Sequence, residues 1–178
     1  MSFDSTPQRS EMQAMKVSGF LADPQTGHPT LILSDPSGER FLPIVIGPAE
    51  ASSIALALQD STPPRPLSHD LMKSIIDATR ASVKCVVIHD IRESTFLARV
   101  ELESAGQIFD LDARPSDGIA LALRADAPIF VTSRIPLATA HVADEEQAKR
   151  DDEAFRAFIK SLKPSDFSDG QEEPETES

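Results

Sequence analysis

Apolar and polar residues alternate through Phe96, Ala98, Val100 and Leu102, set between Leu97, Arg99, Glu101 and Glu103. That period of two predicts a strand with one buried and one wet face. Before it, the β-branched run from Val83 to Ile91 suits a central strand. After it, Gln107 to Ala113 predicts a third, with Glu93-Ser94 and Ser104-Ala105-Gly106 as the connecting turns. The first half of the chain shows the same succession in Met15 to Leu21, Thr30 to Leu33 and Phe41 to Ile46. Its turns fall at Asp23-Pro24-Gln25-Thr26-Gly27 and Asp35-Pro36-Ser37-Gly38.

After each third strand the period changes to that of a helix. Ala51, Ile54, Ala55 and Leu58 fall on one helical face, as do Ile119 and Leu123, and the alanines between them imply close contact with a sheet. A further helix follows the extended link Thr62-Pro63-Pro64-Arg65-Pro66. Ser68 is its expected N-cap, Asp70 complements its positive end, and Leu71, Met72, Ile75 and Ile76 form its apolar stripe. Ile129 to Thr132 predicts a short strand, and Asp144 to Leu162 a last helix with Phe155, Phe158, Ile159 and Leu162 on one face.

Ile54-Ala55-Leu56-Ala57-Leu58 recurs as Ile119-Ala120-Leu121-Ala122-Leu123. With a two-residue gap, Ile46-Gly47-Pro48-Ala49-Glu50 also faces Ala113-Arg114-Pro115-Ser116-Asp117. The expected fold is therefore α+β, a duplicated three-strand, two-helix unit forming mixed sheets with helices packed against them. The domain is placed at residues 12–140, its halves at about 12–80 and 81–140. A charged helix is expected over 141–163, with disordered ends at 1–11 and 164–178.

Charge narrows the function. The chain carries 17 basic and 29 acidic residues, a net −12, and 12 of the acidic residues lie from His141 onward. The balance disfavours a broad basic surface for duplex nucleic acid, so any such role must use a local groove or a bound metal. With no Trp and no Tyr, an aromatic stacking platform for single strands is disfavoured too. One cysteine, Cys85, allows neither an internal disulfide nor a Cys-based metal site. No apolar run is long enough to cross a membrane and the start lacks the pattern of a signal peptide, so a cytoplasmic protein without membrane partners is expected.

The densest polar group is Asp112-Ala113-Arg114-Pro115-Ser116-Asp117, at a strand end and a helix start where free N–H groups favour anions. It would hold a phosphate through Arg114 and Ser116, or a hard divalent cation through Asp112 and Asp117. The structural alternative makes Pro115 a first-turn residue, Ser116 or Asp117 a cap, and Asp112 an ion-pair partner of Arg114 or another arginine. Glu50 takes the corresponding corner of the first half and would join Asp117 across a shared cleft, or simply complement its helix dipole. His69 and Asp70 follow Arg65. They offer a general base and a metal ligand, or an exposed helix start. His89-Asp90 reads as solvated charge at a hairpin tip. There is no Gly-rich phosphate loop and no motif for a covalent nucleophile.

Three segments, Leu42 to Ala51, Pro63 to Leu71 and Asp112 to Ala120, resemble the bifunctional nuclease domain family, a resemblance that covers roughly residues 12–137. The family pattern I-G-x-x-E-A falls on Ile46, Gly47, Glu50 and Ala51. R-P-x-x-H-D-L falls on Arg65, Pro66, His69, Asp70 and Leu71, and D-A-R-P-S-D on Asp112 to Asp117. The resemblance implies the duplicated fold and activity on both DNA and RNA. The chain departs from the pattern at Leu97, where members usually carry an aromatic. It departs again at Gly118, where they usually carry Ala, a change that would weaken the helix start by up to about 1 kcal/mol.

The expected activity is a metal-dependent phosphodiesterase on DNA and RNA. Mg²⁺ or Mn²⁺ would be held by Asp112, Asp117 and Glu50, the scissile phosphate by Arg65, Arg114 and Ser116, and His69, beside Asp70, would serve as base. The alternative is a non-enzymatic binding or regulatory module using the same corner. A homodimer is expected from the apolar helix faces, and the acidic tail is expected to repel nucleic acid.

Overall fold

The alternating runs form two antiparallel meanders. In the computed structural model, which describes residues 12–22, 28–59 and 63–139, the first is β1 (Met12–Ala22), β2 (Pro29–Ser34) and β3 (Arg40–Val45). The second is β4 (Ser82–Arg92), β5 (Thr95–Ser104) and β6 (Gln107–Ala113). Its turns are two residues long with positive φ at both positions, 48° and 64° at Glu93 and Ser94, 50° and 77° at Ala105 and Gly106. This is the primed turn whose twist matches that of the strands it joins.

A short strand, β7 (Ile129–Thr132), joins the meanders, parallel to β4 and antiparallel to β1. A two-residue strand, β8 (Ala138–Thr139), pairs with β3 and completes an eight-stranded mixed sheet in the order β6-β5-β4-β7-β1-β2-β3-β8. Since β7 runs with β4 and against β1, β1 and β4 run in opposite directions on either side of it.

Each meander leads into an 11-residue helix, α1 (Pro48–Leu58) after β3 and α3 (Pro115–Ala125) after β6. These two pack on each other, and Ile54, Ala55, Ile119, Ala120 and Ala122 are fully buried in the same core as Leu31, Leu33, Val86 and Val131. The helices start 67 residues apart, at Pro48 and Pro115. The five-letter identity therefore stands two residues out of step, beginning at the seventh residue of α1 and the fifth of α3. Gly118 has a packing reason. A Cβ there would lie 2.8 Å from a methyl group of Val86, so its absence lets α3 settle onto β4 and β5.

The third helix, α2 (Ser68–Ala78), departs from expectation in two ways. Its N-cap is Leu67, not Ser68; Asp70 reaches back to accept the Leu67 N–H at 2.7 Å. Of its apolar stripe only Ile76 packs against the core: Leu71, Met72 and Ile75 are 45–56% exposed, and the buried residue is His69. The cause is position. The helix packs chiefly on α3 and meets the sheet mainly at β4, so its first turn, not most of its apolar stripe, faces the other helices. Among the described residues no helix is long and apolar enough to cross a membrane. The turn at 23–27, both expected disordered ends and the expected helix over 141–163 lie outside the described residues.

Candidate functional site: three helix starts

The first turns of all three helices meet. In α1 and α3 the order is the same: an extended N-cap (Gly47, Arg114), proline at the first helical position, and an acid at the third (Glu50, Asp117). Proline there loses no helical hydrogen bond, and the acid complements the positive helix end. The two acids share one cation. Arg114 places Nη2 at 2.9 Å from Glu50 Oε1, and its Nε and Nη2 donate to Asp117 Oδ2 and Oδ1 at 2.7 and 3.0 Å. These contacts, above all those with Asp117, raise the Arg114 pKa. Even so, the side chain is 66% exposed, and among the described residues its Nη1 has no partner.

Glycine at position 47 leaves room for this arrangement. The Glu50 carboxylate folds back over the N-cap, so that Oε2 lies where a Cβ on Gly47 would be. A larger residue would make that carboxylate shift.

Behind the bridge lies His69, 7% exposed, with both ring nitrogens engaged. Nε2 is 3.2 Å from Asp117 Oδ1 and Nδ1 is 2.9 Å from Ser53 Oγ on α1. Burial pushes the Asp117 carboxyl upward, but the hydrogen bonds from Arg114 and His69 outweigh it and hold the group below the usual carboxylate range. An ionised carboxylate only accepts, so Nε2 carries the proton. In the neutral ring Nδ1 is then an acceptor, and the Ser53 hydroxyl donates to it.

Asp70 belongs to the scaffold of the site. Arg124, in the last turn of α3, donates to Asp70 through Nε, to its own helix at Ala120 O at 2.9 Å, and to Ser53 O on α1 at 3.3 Å. One side chain so binds all three helices. Burial raises the Asp70 carboxyl, while Arg124 and the Leu67 N–H lower it further, for a net depression.

The structure thus brings Glu50, His69, Arg114 and Asp117 into one cluster, with Asp70 beside it through Arg124. Ser116, 7% exposed, sits in the first turn of α3. Arg65 is exposed in the link before α2, with no ion-pair partner among the described residues. Asp112 stands elsewhere. It pairs across the strands with Arg99, and side chains opposite one another on neighbouring strands share a face. Val100, next to Arg99, faces α3, so Arg99 and Asp112 face away from it. There Asp112 influences His89, whose imidazole is lowered by burial and by Arg99; this half-buried histidine is not at a solvated tip. Among the described residues no three His, Cys, Asp or Glu groups are arranged to hold a metal ion, and the point between Glu50 and Asp117 is taken by the guanidinium. Sequence reasoning missed Ser53 and Arg124.

Comparison with known proteins gives a consistent picture. The model of the bifunctional nuclease domain family matches residues 31–144. An uncharacterised protein of Mycobacterium tuberculosis is 41% identical over 169 residues, covering 88% of this chain and 98% of that one. Bifunctional nuclease 1 of Oryza sativa subsp. japonica is 26% identical over 118 residues, covering 65% of this chain and 36% of the rice protein.

Proposed function

This chain belongs to the bifunctional nuclease domain family, and from that premise we propose that it hydrolyses phosphodiester bonds of DNA and RNA at the Glu50–Arg114–Asp117 bridge. The observation that carries the reading is Arg114: an exposed guanidinium fixed by two carboxylates, with Nη1 unpartnered among the described residues, at the meeting of three helix starts. A phosphate oxygen fits that free edge. The first-turn N–H groups of Ser116 and Asp117 have no intrahelical acceptor and add to the attraction.

DNA has no 2′-hydroxyl, so one mechanism serving both substrates cannot use the substrate's own hydroxyl, and water is the nucleophile in this scheme. Arg114 stabilises the charge that grows on the phosphoryl oxygens, and Arg65 offers a second cation along the strand. Glu50 accepts the proton of the attacking water. Asp117 and His69 act by holding Arg114 in place, and Ser53 and Arg124 hold them in turn.

The test is cleavage of end-labelled single-stranded DNA and RNA by wild type beside Glu50→Gln and Arg114→Gln, each shown to be folded by circular dichroism. Loss of about 100-fold or more in each variant supports the reading. Equal cutting by all three overturns the site, and binding without cleavage by the wild type favours the non-catalytic module.

A further inference from the structure

We infer that the Arg114 guanidinium stands in the place of a divalent cation between Glu50 and Asp117, so that phosphodiester hydrolysis here proceeds without a metal ion. The inference deepens the nuclease reading and rests on it. Its basis is the donor set. A divalent ion shared by Glu50 and Asp117 would have to lie between their oxygens, and that point holds a guanidinium bound at 2.7–3.0 Å on three contacts. Two like charges do not share it. Among the described residues no third side-chain donor comes to hand. Asp112 lies on the far face of the sheet, and His69 Nε2 carries the proton it gives to Asp117, so it has no lone pair for a metal.

The guanidinium performs the two tasks asked of such an ion. It offsets one of the two carboxylate charges, which lessens their repulsion of a phosphodiester, and it presents N–H donors to the phosphoryl oxygens. The step balances with water alone. The water oxygen forms the new bond to phosphorus and the bond to the ester oxygen breaks. One water proton passes to the Glu50 oxygen that Arg114 does not hold, and from there to the departing oxygen. Nothing is oxidised or reduced.

Manganese(II) titration followed by electron paramagnetic resonance reads the inference apart from cleavage. Wild type should show no Mn²⁺ binding that depends on Glu50, whereas Arg114→Ala, which strips the cation from two carboxylates, should gain affinity by about tenfold or more. Arg114→Ala/Glu50→Gln should lose that gain; Arg114→Gln replaces the alanine variant if the latter does not fold. In parallel, wild type dialysed against EDTA should cut DNA and RNA within about twofold of its rate in Mg²⁺ or Mn²⁺. Wild-type Mn²⁺ binding that Glu50→Gln abolishes overturns the inference, as does cleavage that EDTA stops and Mg²⁺ or Mn²⁺ restores. Absence of cleavage under both conditions overturns the nuclease reading and the hydrolytic half of the inference together, while the titration still decides whether the guanidinium excludes the ion.

Discussion

Ser53 on α1 and His69 on α2 are joined inside the helix layer by a 2.9 Å hydrogen bond between the serine Oγ and Nδ1. The bond completes a line from α1 through the imidazole to Asp117 on α3, so the histidine is fixed at both ends. Ser53 is 5% exposed, which makes it a support for the ring and not a nucleophile.

Ser53→Ala leaves a buried ring nitrogen without a donor. The expected cost is about 1–3 kcal/mol and a thermal midpoint several degrees lower. Nitrogen-15 spectra of the imidazole check the cause, with the proton on Nε2 in wild type and a changed Nδ1 signal in the variant. An unchanged Nδ1 signal would show that Ser53 does not donate to the ring.

The sequence puts Asp112 and Asp117 five residues apart, yet they should behave differently. Asp112→Asn is expected to keep cleavage within about threefold of wild type, since the residue lies across the sheet from the bridge. Asp117→Asn releases both Arg114 and His69 and should lower cleavage by about 100-fold. Comparable losses in the two single variants would contradict the placement of the site.

Gly118→Ala sets two effects against each other. Alanine improves the helix by up to about 1 kcal/mol, but its Cβ meets Val86 at 2.8 Å, and overpacking of this kind costs about 1–3 kcal/mol. The clash is expected to win, for a net loss of about 1 kcal/mol in urea unfolding. In a double-mutant cycle, Gly118→Ala should cost less when Val86 has been shortened to alanine. A simple gain in stability would mean that the glycine is only a propensity defect.

Acid sensitivity should appear away from the cluster as well. Asp35, 2% exposed in the β2–β3 turn, has its pKa at about 2. Burial raises it, but the backbone N–H and side chain of Arg40, the Ser37 hydroxyl and the Glu39 N–H together lower it further. A carboxyl depressed in the folded state stabilises above its ordinary pKa of 3.8, and that contribution disappears as pH falls from about 4 to about 2. Urea melts across this window should show wild type losing stability more steeply than Asp35→Asn. Parallel curves would show that the turn does not depend on the charge.

The strands were legible in the chain because their period of two and their turn residues are local signals. Glu93-Ser94 and Ala105-Gly106 stand at the turns where alternation breaks. The corner at Arg114 and Asp117 was legible for the same reason, being four consecutive residues at a strand-to-helix junction. Ser53 and Arg124 were not, since their partners lie far along the chain: 16 residues from Ser53 to His69, 54 and 71 from Arg124 to Asp70 and Ser53. A signal existed, an arginine two turns beyond Asp117 on the same side of an apolar helix. The α2 stripe misled for a physical reason: amphipathicity tells which residues cluster on a helix, not whether the sheet lies beneath them.

The central place of β7 sets a timetable for assembly. The first meander is complete by Val45 and the second by Ala113, but only residues 129–132 connect them into one sheet. Until that segment leaves the ribosome, β1 and β4 each present an open edge to every other chain nearby. A nascent chain halted before Ile129 would have its halves joined through the helices, with both sheet edges open, so exposure to aggregation lasts until the segment that carries β7 is made.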